Sequence, residues 1–364
     1  MWNQLVPTSR WEGLAPAMQK PFPELTFLNI WVDSEEDTVM SLQDSFLGGS
    51  APLLRHLWLV DCPFPGLPTL LLSANHLDSL HLWNIPDSGL FSPQALVTAL
   101  SVMSRLEIFD FQFQSPRSRP DPASRSTPPL TRTVLPALAR LVFQGVHEYL
   151  EDLLAQIEAP LLNKLKITFF MDLHFVVPQL HRLISHAKSF KTCHRAFVYT
   201  SDRTIRFAIF SETHWSPELT LEIRCRELDY QLSSLAQVCG SSLLLLSTLV
   251  QLDIVDPLPP TLPSQWKDDM ETTQWLQLLD PFTAVNDLRL SDQVGRHVCQ
   301  ALEELAEERV TEVLPSLQNI FLSDLGPLES VPKFIERFVA ARQLSGHPVA
   351  VYSWGDRGNY EIII

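Results

Sequence analysis

One arrangement of apolar positions recurs along the chain: an apolar residue, two variable residues, a second apolar residue, one variable residue, and a third apolar residue. It is read at Leu25/Leu28/Ile30, Leu54/Leu57/Leu59, Leu77/Leu80/Leu82, Leu106/Phe109/Phe111 and Leu138/Leu141/Phe143. It continues at Leu162/Leu165/Ile167, Leu249/Leu252/Ile254, Val285/Leu288/Leu290 and Leu317/Ile320/Leu322. Successive copies start 29, 23, 29, 32, 24, 87, 36 and 32 residues apart. The last two apolar residues of each copy are two positions apart, which puts both side chains on one face of a β-strand. A regular period would fit two degenerate copies into the 87-residue gap, Cys193/Ala196/Val198 and Glu218/Leu221/Ile223. The second of these has an acid where an apolar residue belongs. A final strand is expected over Val349–Trp354.

Five copies share a proline two residues before the first apolar position: Pro23, Pro52, Pro136, Pro160 and Pro315. Proline lacks an amide donor and biases its predecessor toward extended geometry, so it is expected to end whatever helix precedes the strand. Helical spacing appears between the copies. Ser92-Pro93 reads as an N-cap followed by proline at the first helical position, with Leu96, Ala99, Leu100 and Met103 behind it. Similar spacing follows His147, Pro178 and Pro332. Each unit is then one short strand plus one amphipathic helix. Such units in series predict an α/β fold of irregular leucine-rich-repeat type: a curved horseshoe solenoid with a parallel strand per repeat on the concave face and helices on the convex face. The second copy completes the repeat signature with Cys62 in its Asn/Cys position. The competing reading is an ordinary doubly wound α/β domain with accidental leucine spacing. The expected organisation is a lead-in or cap over residues 1–20 and the repeats over 21–364, interrupted by a flexible Pro/Ser/Arg-rich loop at 114–133 and a Pro-rich excursion at 256–264. Glu303–Glu308 reads as a solvated acidic helix face.

Composition narrows the classes. With 45% hydrophobic and 19% charged residues in 364, the chain can build a large core. Its net charge of −15 argues against binding nucleic acid or anionic lipid, since both need clustered Lys and Arg. No apolar run reaches the length of a membrane span, Leu243–Val250 being the greasiest stretch. Met1-Trp2-Asn3-Gln4 is not the start of a signal peptide pattern. The five cysteines do not form a disulfide framework, so a cytoplasmic or nuclear location is expected.

Motifs for chemistry are missing. There is no Gly-x-Ser-x-Gly elbow, no glycine-rich phosphate loop and no second histidine one helical turn after His147. Cys225 and Cys239 are too far apart for a zinc knuckle or a redox pair. No catalytic residues, metal ligands or cofactors are therefore assigned, and the chain is expected not to be an enzyme; a site without a known motif is the alternative. Surface is what the repeats supply. Alternate strand positions, opposite to the leucines, carry Trp31, His56, Trp58, His81 and Trp83, and farther along Lys164, Lys166, Arg195, Phe197 and Tyr199. Tryptophan is enriched at interface hot spots. These ten residues are the candidate protein-binding positions, although a covering cap over the tryptophans would explain them as well.

The Pro-x-Leu-x-x-Leu-x-Leu copies, with Ser9-Arg10-Trp11-Glu12-Gly13-Leu14 ahead of the first, resemble the fungal (basidiomycete-type) F-box proteins with leucine-rich-repeat tails. The resemblance implies the substrate-recognition repeat domain of a cullin-based (SCF) ubiquitin-ligase receptor, with an unknown protein substrate on the repeats and covalent catalysis in other subunits. The F-box of that family is a helical segment opening with a Leu-Pro-x-Glu-like motif, and residues 1–20 contain none. A Skp-type adaptor is thus a partner only if an F-box lies upstream. A stand-alone repeat scaffold without ubiquitin function remains the alternative.

Overall fold

The first apolar residue of each of the nine clear copies closes a turn, whereas Glu218, which starts the most degenerate copy, donates its amide to the Ile209 carbonyl of the neighbouring strand. In a computed structural model, which describes residues 3–6, 17–32, 42–43, 45–64, 66–116, 132–170, 174–201, 203–211, 216–225, 228–240, 243–255, 272–305, 309–323, 332–354 and 360–362, the Leu54 amide donates to the Ala51 carbonyl, Leu138 to Leu135, Leu162 to Ala159 and Leu317 to Leu314. Leu25 does the same to Phe22. The recurring proline is therefore the second residue of a four-residue turn, where its fixed φ is already correct and its missing amide is not needed. Copies without proline make the same bond, as in Leu77 to Ala74, Leu106 to Met103 and Cys193 to Phe190.

Two compact units result, Met1–Phe170 with Val177–Ala187, and Met171–Val176 with Lys188–Ile364. The first contains β1 (Asn3–Val6), β2 (Phe27–Val32), β3 (His56–Val60), α1 (Leu67–Leu71), β4 (Ser79–Ile85), α2 (Pro93–Leu100), β5 (Ile108–Phe113), β6 (Thr133–Val134), β7 (Arg140–Gly145), α3 (His147–Leu154), β8 (Ile157–Glu158), β9 (Lys164–Phe170) and α4 (Pro178–His186). Strands β1, β2, β3, β4, β5, β7 and β9 pair in that order, all parallel, while β6 and β8 form a small parallel pair of their own. Residues expected to be lead-in thus supply the edge strand β1.

Between strands the register is set by a shared acceptor. The Thr26 carbonyl accepts the amides of both Arg55 and His56, and Arg55 in turn accepts from Asp78 and Ser79. The series goes on through Asp78, Glu107 and Ala139, each accepting two amides from the next copy. Every apolar position of the copies in this unit is buried except Leu25. Full burial stabilises each such side chain by about 1.5–3 kcal/mol. Six rings, Phe91, Phe109, Phe111, Phe113, Phe143 and Tyr149, meet in the core, with neighbouring ring centroids 4.7–6.3 Å apart and the Tyr149 hydroxyl donating to the Phe91 carbonyl at 3.0 Å. Ser92 caps α2 by accepting the Ala95 amide at 3.2 Å, as its sequence predicts. Helices are also tied in series: Glu151 of α3 accepts the Gln179 and Leu180 amides at the start of α4, at 2.8 and 2.9 Å.

The second unit departs from one strand per repeat. It holds β10 (Arg195–Thr200), β11 (Thr204–Phe210), β12 (Leu219–Arg224), α5 (Leu228–Val238), β13 (Gln251–Val255), α6 (Thr272–Leu279), β14 (Asp287–Leu290), α7 (Asp292–Glu303), β15 (Asn319–Ser323), α8 (Glu336–Leu344), β16 (Ala350–Trp354) and β17 (Tyr360–Ile362). The order is β12, β11, β10, β13, β14, β15, β16, β17. Both expected degenerate copies are strands, β10 and β12, but an antiparallel strand, β11, stands between them. From β10 the chain therefore turns back through a hairpin, and β13 returns to pair in parallel with β10. Reading only the triplet period misses β11, whose alternation Ile205, Phe207, Ile209 lacks a leading apolar residue. The remaining pairs to β16 are parallel, with β17 antiparallel at the end. The helix expected after Pro332 begins later, at Glu336, with Ile335 and Phe338 buried. Its Arg342 is buried and donates to the carbonyls of Val310, Pro315 and Leu317, which ties α8 to the turn before β15.

The Ser9–Leu14 segment lies outside the described residues, as do 117–131 of the expected loop, the 256–264 excursion and 306–308 of the acidic run.

Two outcomes follow from this packing. Phe111→Ala should lower unfolding free energy by about 3–5 kcal/mol in urea, because the ring cluster cannot collapse around the void. All five cysteines are buried thiols outside any disulfide, and burial pushes the Cys62 thiol, with help from Asp61, and the Cys193 thiol up to about 12. Iodoacetamide should therefore label the native chain slowly and label all five thiols quickly once urea has unfolded it, read by intact-mass spectrometry.

Candidate functional site

Strand alternation gives each sheet two unlike faces. The leucine side is closed by helices, with α3 against β7 in the first unit, α5 against β11 and β12, and α7 against β13 and β15 in the second. Among the described residues the other side is open, and all ten sequence-derived candidates lie on it, half-buried or exposed, at the second, fourth and sixth residues after the first apolar position.

In the first unit, register places Trp58 opposite Asn29 on one side and His81 on the other, and Val60 opposite Trp31 and Trp83. Three of the predicted residues meet. The Trp58 and His81 ring centroids are 4.3 Å apart, Trp58 and Trp83 are 5.5 Å apart, and His81 meets Trp83 edge-on at 6.0 Å. His56 lies one row away, its Nδ1 2.8 Å from the Ser79 hydroxyl and its ring 6.0 Å from Phe27. Trp31, 50% exposed, stands apart because Val60 separates it from Trp83 in the row. The tryptophans thus form a contiguous pair and a separate third, and Trp58, His81 and Trp83 are all half-buried.

Asp110 completes the cluster and was not among the sequence-derived residues. It occupies the fourth position of its copy, opposite His81. Its carboxylate accepts from the Gln112 amide at 2.7 Å and lies 3.6 Å from His81 Nδ1. The side chain is 5% exposed, so this acid stands beside the histidine and shows little charge to solvent. Farther along the face, Lys164 and Lys166 are exposed, with Arg140 directly opposite Lys164.

In the second unit, Arg195, Phe197 and Tyr199 do come together. The Arg195 guanidinium carbon lies 4.3 Å from the Phe197 ring centroid, and Phe197 stacks on Tyr199 at 5.5 Å and 6°. Arg195 is held by an ion pair to Asp253. Burial, with the Asp253 carboxylate second, pushes the Tyr199 phenol up against the opposing pull of Arg195 and Arg206. The same alternate positions on later strands carry Asp253, Arg289 and Phe321, with Arg289 5.2 Å from the Phe321 ring and Phe321 stacked on Tyr352 at 5.0 Å. Extending the alternate-position reading past Tyr199 finds these residues. Arg206 was out of reach of that reading, since it lies on the antiparallel strand β11; there it donates to Glu222 at 2.8 and 3.0 Å, and Arg224 donates to the same carboxylate at 3.3 Å.

Among the described residues no group of three or more His, Cys, Asp or Glu is placed to hold a metal ion. Nor is any helix among them long and apolar enough to cross a membrane. No family model matches the chain, and no curated protein matches it. Among solved structures, the leucine-rich repeat-containing protein LegL7 from Legionella pneumophila aligns over 94% of this chain and 96% of its own, at 13% identity and a TM-score of 0.30.

The geometry sets one outcome directly. Glu222→Gln should cost about 1–3 kcal/mol of stability by weakening the acceptor for two guanidiniums, measured as a shift of the urea midpoint.

Proposed function

We propose that this chain is a protein-interaction module whose binding surfaces are the open faces of its sheets, in an irregular leucine-rich-repeat horseshoe. The observation that carries this reading is the Trp58–His81–Trp83 cluster: three adjoining aromatic side chains, half-buried on a strand lattice, with the Trp83 indole Nε1 buried and without a hydrogen-bond partner among the described residues. Tryptophan contributes large apolar area at low entropic cost, and interface energy concentrates on such residues. The lattice beneath is fixed by backbone hydrogen bonds, so the cluster meets a partner already ordered.

The finer proposal is that the module recognises substrates for an F-box type (SCF) ubiquitin ligase, the role implied by the resemblance of its proline-led leucine copies. On that reading the chain binds and other subunits catalyse, and it works in the cytoplasm or nucleus.

Affinity capture with the intact chain tests the binding role. Trp58→Ala and Trp83→Ala should each release a protein that the unaltered chain retains, with melting temperatures little changed. Equal retention by all three would overturn the role of this face. Co-purification of a Skp-type adaptor with the product expressed from its own gene would support the ligase role, and its absence from such a complex would count against it.

A further inference from the structure

The chain carries a net charge of −15, yet among the described residues the open face of its second unit shows solvent mainly positive charge. The side chains of Arg195, Arg206 and Arg224 are 42–47% exposed, while the acids that hold them, Asp253 and Glu222, are 2% and 5% exposed. The carboxylates are beneath and the guanidiniums above. Glu222 serves two arginines at once, so one guanidinium charge in this trio is left uncompensated by its carboxylate. Asp287, also on this face, is half-buried and accepts from the Asn319 amide at 2.7 Å. Between the arginines lies a flat aromatic floor of Phe197 and Tyr199, with Phe210 packed edge-on to Phe197 at 4.9 Å.

From this arrangement we propose that the open face spanning β12, β11, β10, β13 and β14 docks an extended peptide segment rich in aspartate and glutamate, contributed by a protein partner. The inference rests on the reading of the open faces as interaction surfaces and names the chemistry one of them takes. Charge complementarity is the argument. Guanidiniums recognise carboxylates by charge-assisted hydrogen bonds: Arg195 directs two N–H groups at one oxygen of Asp253, Arg206 two at one oxygen of Glu222, and Arg224 adds a single bond to Glu222. Holding them in place beforehand removes much of the ordering cost of binding. A long nucleic acid is disfavoured, since its many phosphates would feel the negative charge of the whole chain. A short acidic segment feels mainly charges within a screening length of about 8 Å.

The test is fluorescence anisotropy of a labelled oligoglutamate peptide with the full chain, against an oligoglutamine peptide of equal length. Saturable binding that weakens with added salt is expected for oligoglutamate alone. Arg224→Gln should weaken it about tenfold, the value of one charge-assisted hydrogen bond. Arg224→Lys should weaken it less. If a variant fails to fold, protection of Arg195, Arg206 and Arg224 from phenylglyoxal by the peptide tests the same contact on the unaltered chain. Equal binding of oligoglutamine, indifference to Arg224→Gln with no protection of the arginines, or binding of a phosphoserine peptide or single-stranded oligonucleotide but not oligoglutamate would each overturn the proposal. Trp58→Ala lies in the other unit and should leave oligoglutamate binding intact. Failure of the tryptophan face and failure of this one are therefore separable.

Discussion

The structure depends on one carbonyl per repeat. In the copy starting at Leu54, the residue after that leucine, Arg55, sends its carbonyl to two consecutive amides of the following copy, Asp78 and Ser79. The pattern recurs from Thr26 to Ala139 in the first unit, and at His194, Val250 and Asn286 in the second. A turn closed by the first apolar residue delivers the backbone into this position, and proline at its second residue lowers the entropic cost of forming it. Because the shared acceptor admits a single register, the apolar pair that follows must point to the helix side. A slip of one residue would send every leucine to the open face.

That constraint explains why so much chemistry stands in rows. Once register is fixed, residues two, four and six after the first apolar position fall beside their counterparts on the neighbouring strand. Trp58 meets His81, and His81 meets Asp110, by position rather than by local motif. The same geometry layers the charge in the second unit, where carboxylates near the sheet are covered by the guanidiniums they hold. A chain acidic as a whole can thus present arginines on a chosen surface.

Much of this was legible in the sequence. The triplets located most strands and their buried side, and Ser92-Pro93 located a helix start, because period and capping are local signals. Three things were not legible. The proline reads equally as a helix stop or as a turn residue, and only the Leu54-to-Ala51 type of bond decides between them. Strand β11 has the alternation of any half-buried strand and nothing that marks its antiparallel direction, so Arg206 and its sharing of Glu222 with Arg224 could not be placed. Buried Arg342 is the third: an arginine in a helix reads as surface, and its three carbonyl partners, at 310, 315 and 317, come from a segment distant in sequence.

A binding role for the aromatic cluster requires that it meet solvent. Hydroxyl-radical footprinting of the native chain, read at single tryptophans by mass spectrometry, measures this directly. Of Trp31, Trp58, Trp83 and Trp275, Trp31 should be oxidised fastest, Trp58 and Trp83 at intermediate rates, and Trp275, which is fully buried, hardly at all. Trp58 and Trp83 as protected as Trp275 would mean that the open face is covered, and would contradict its role as a binding surface.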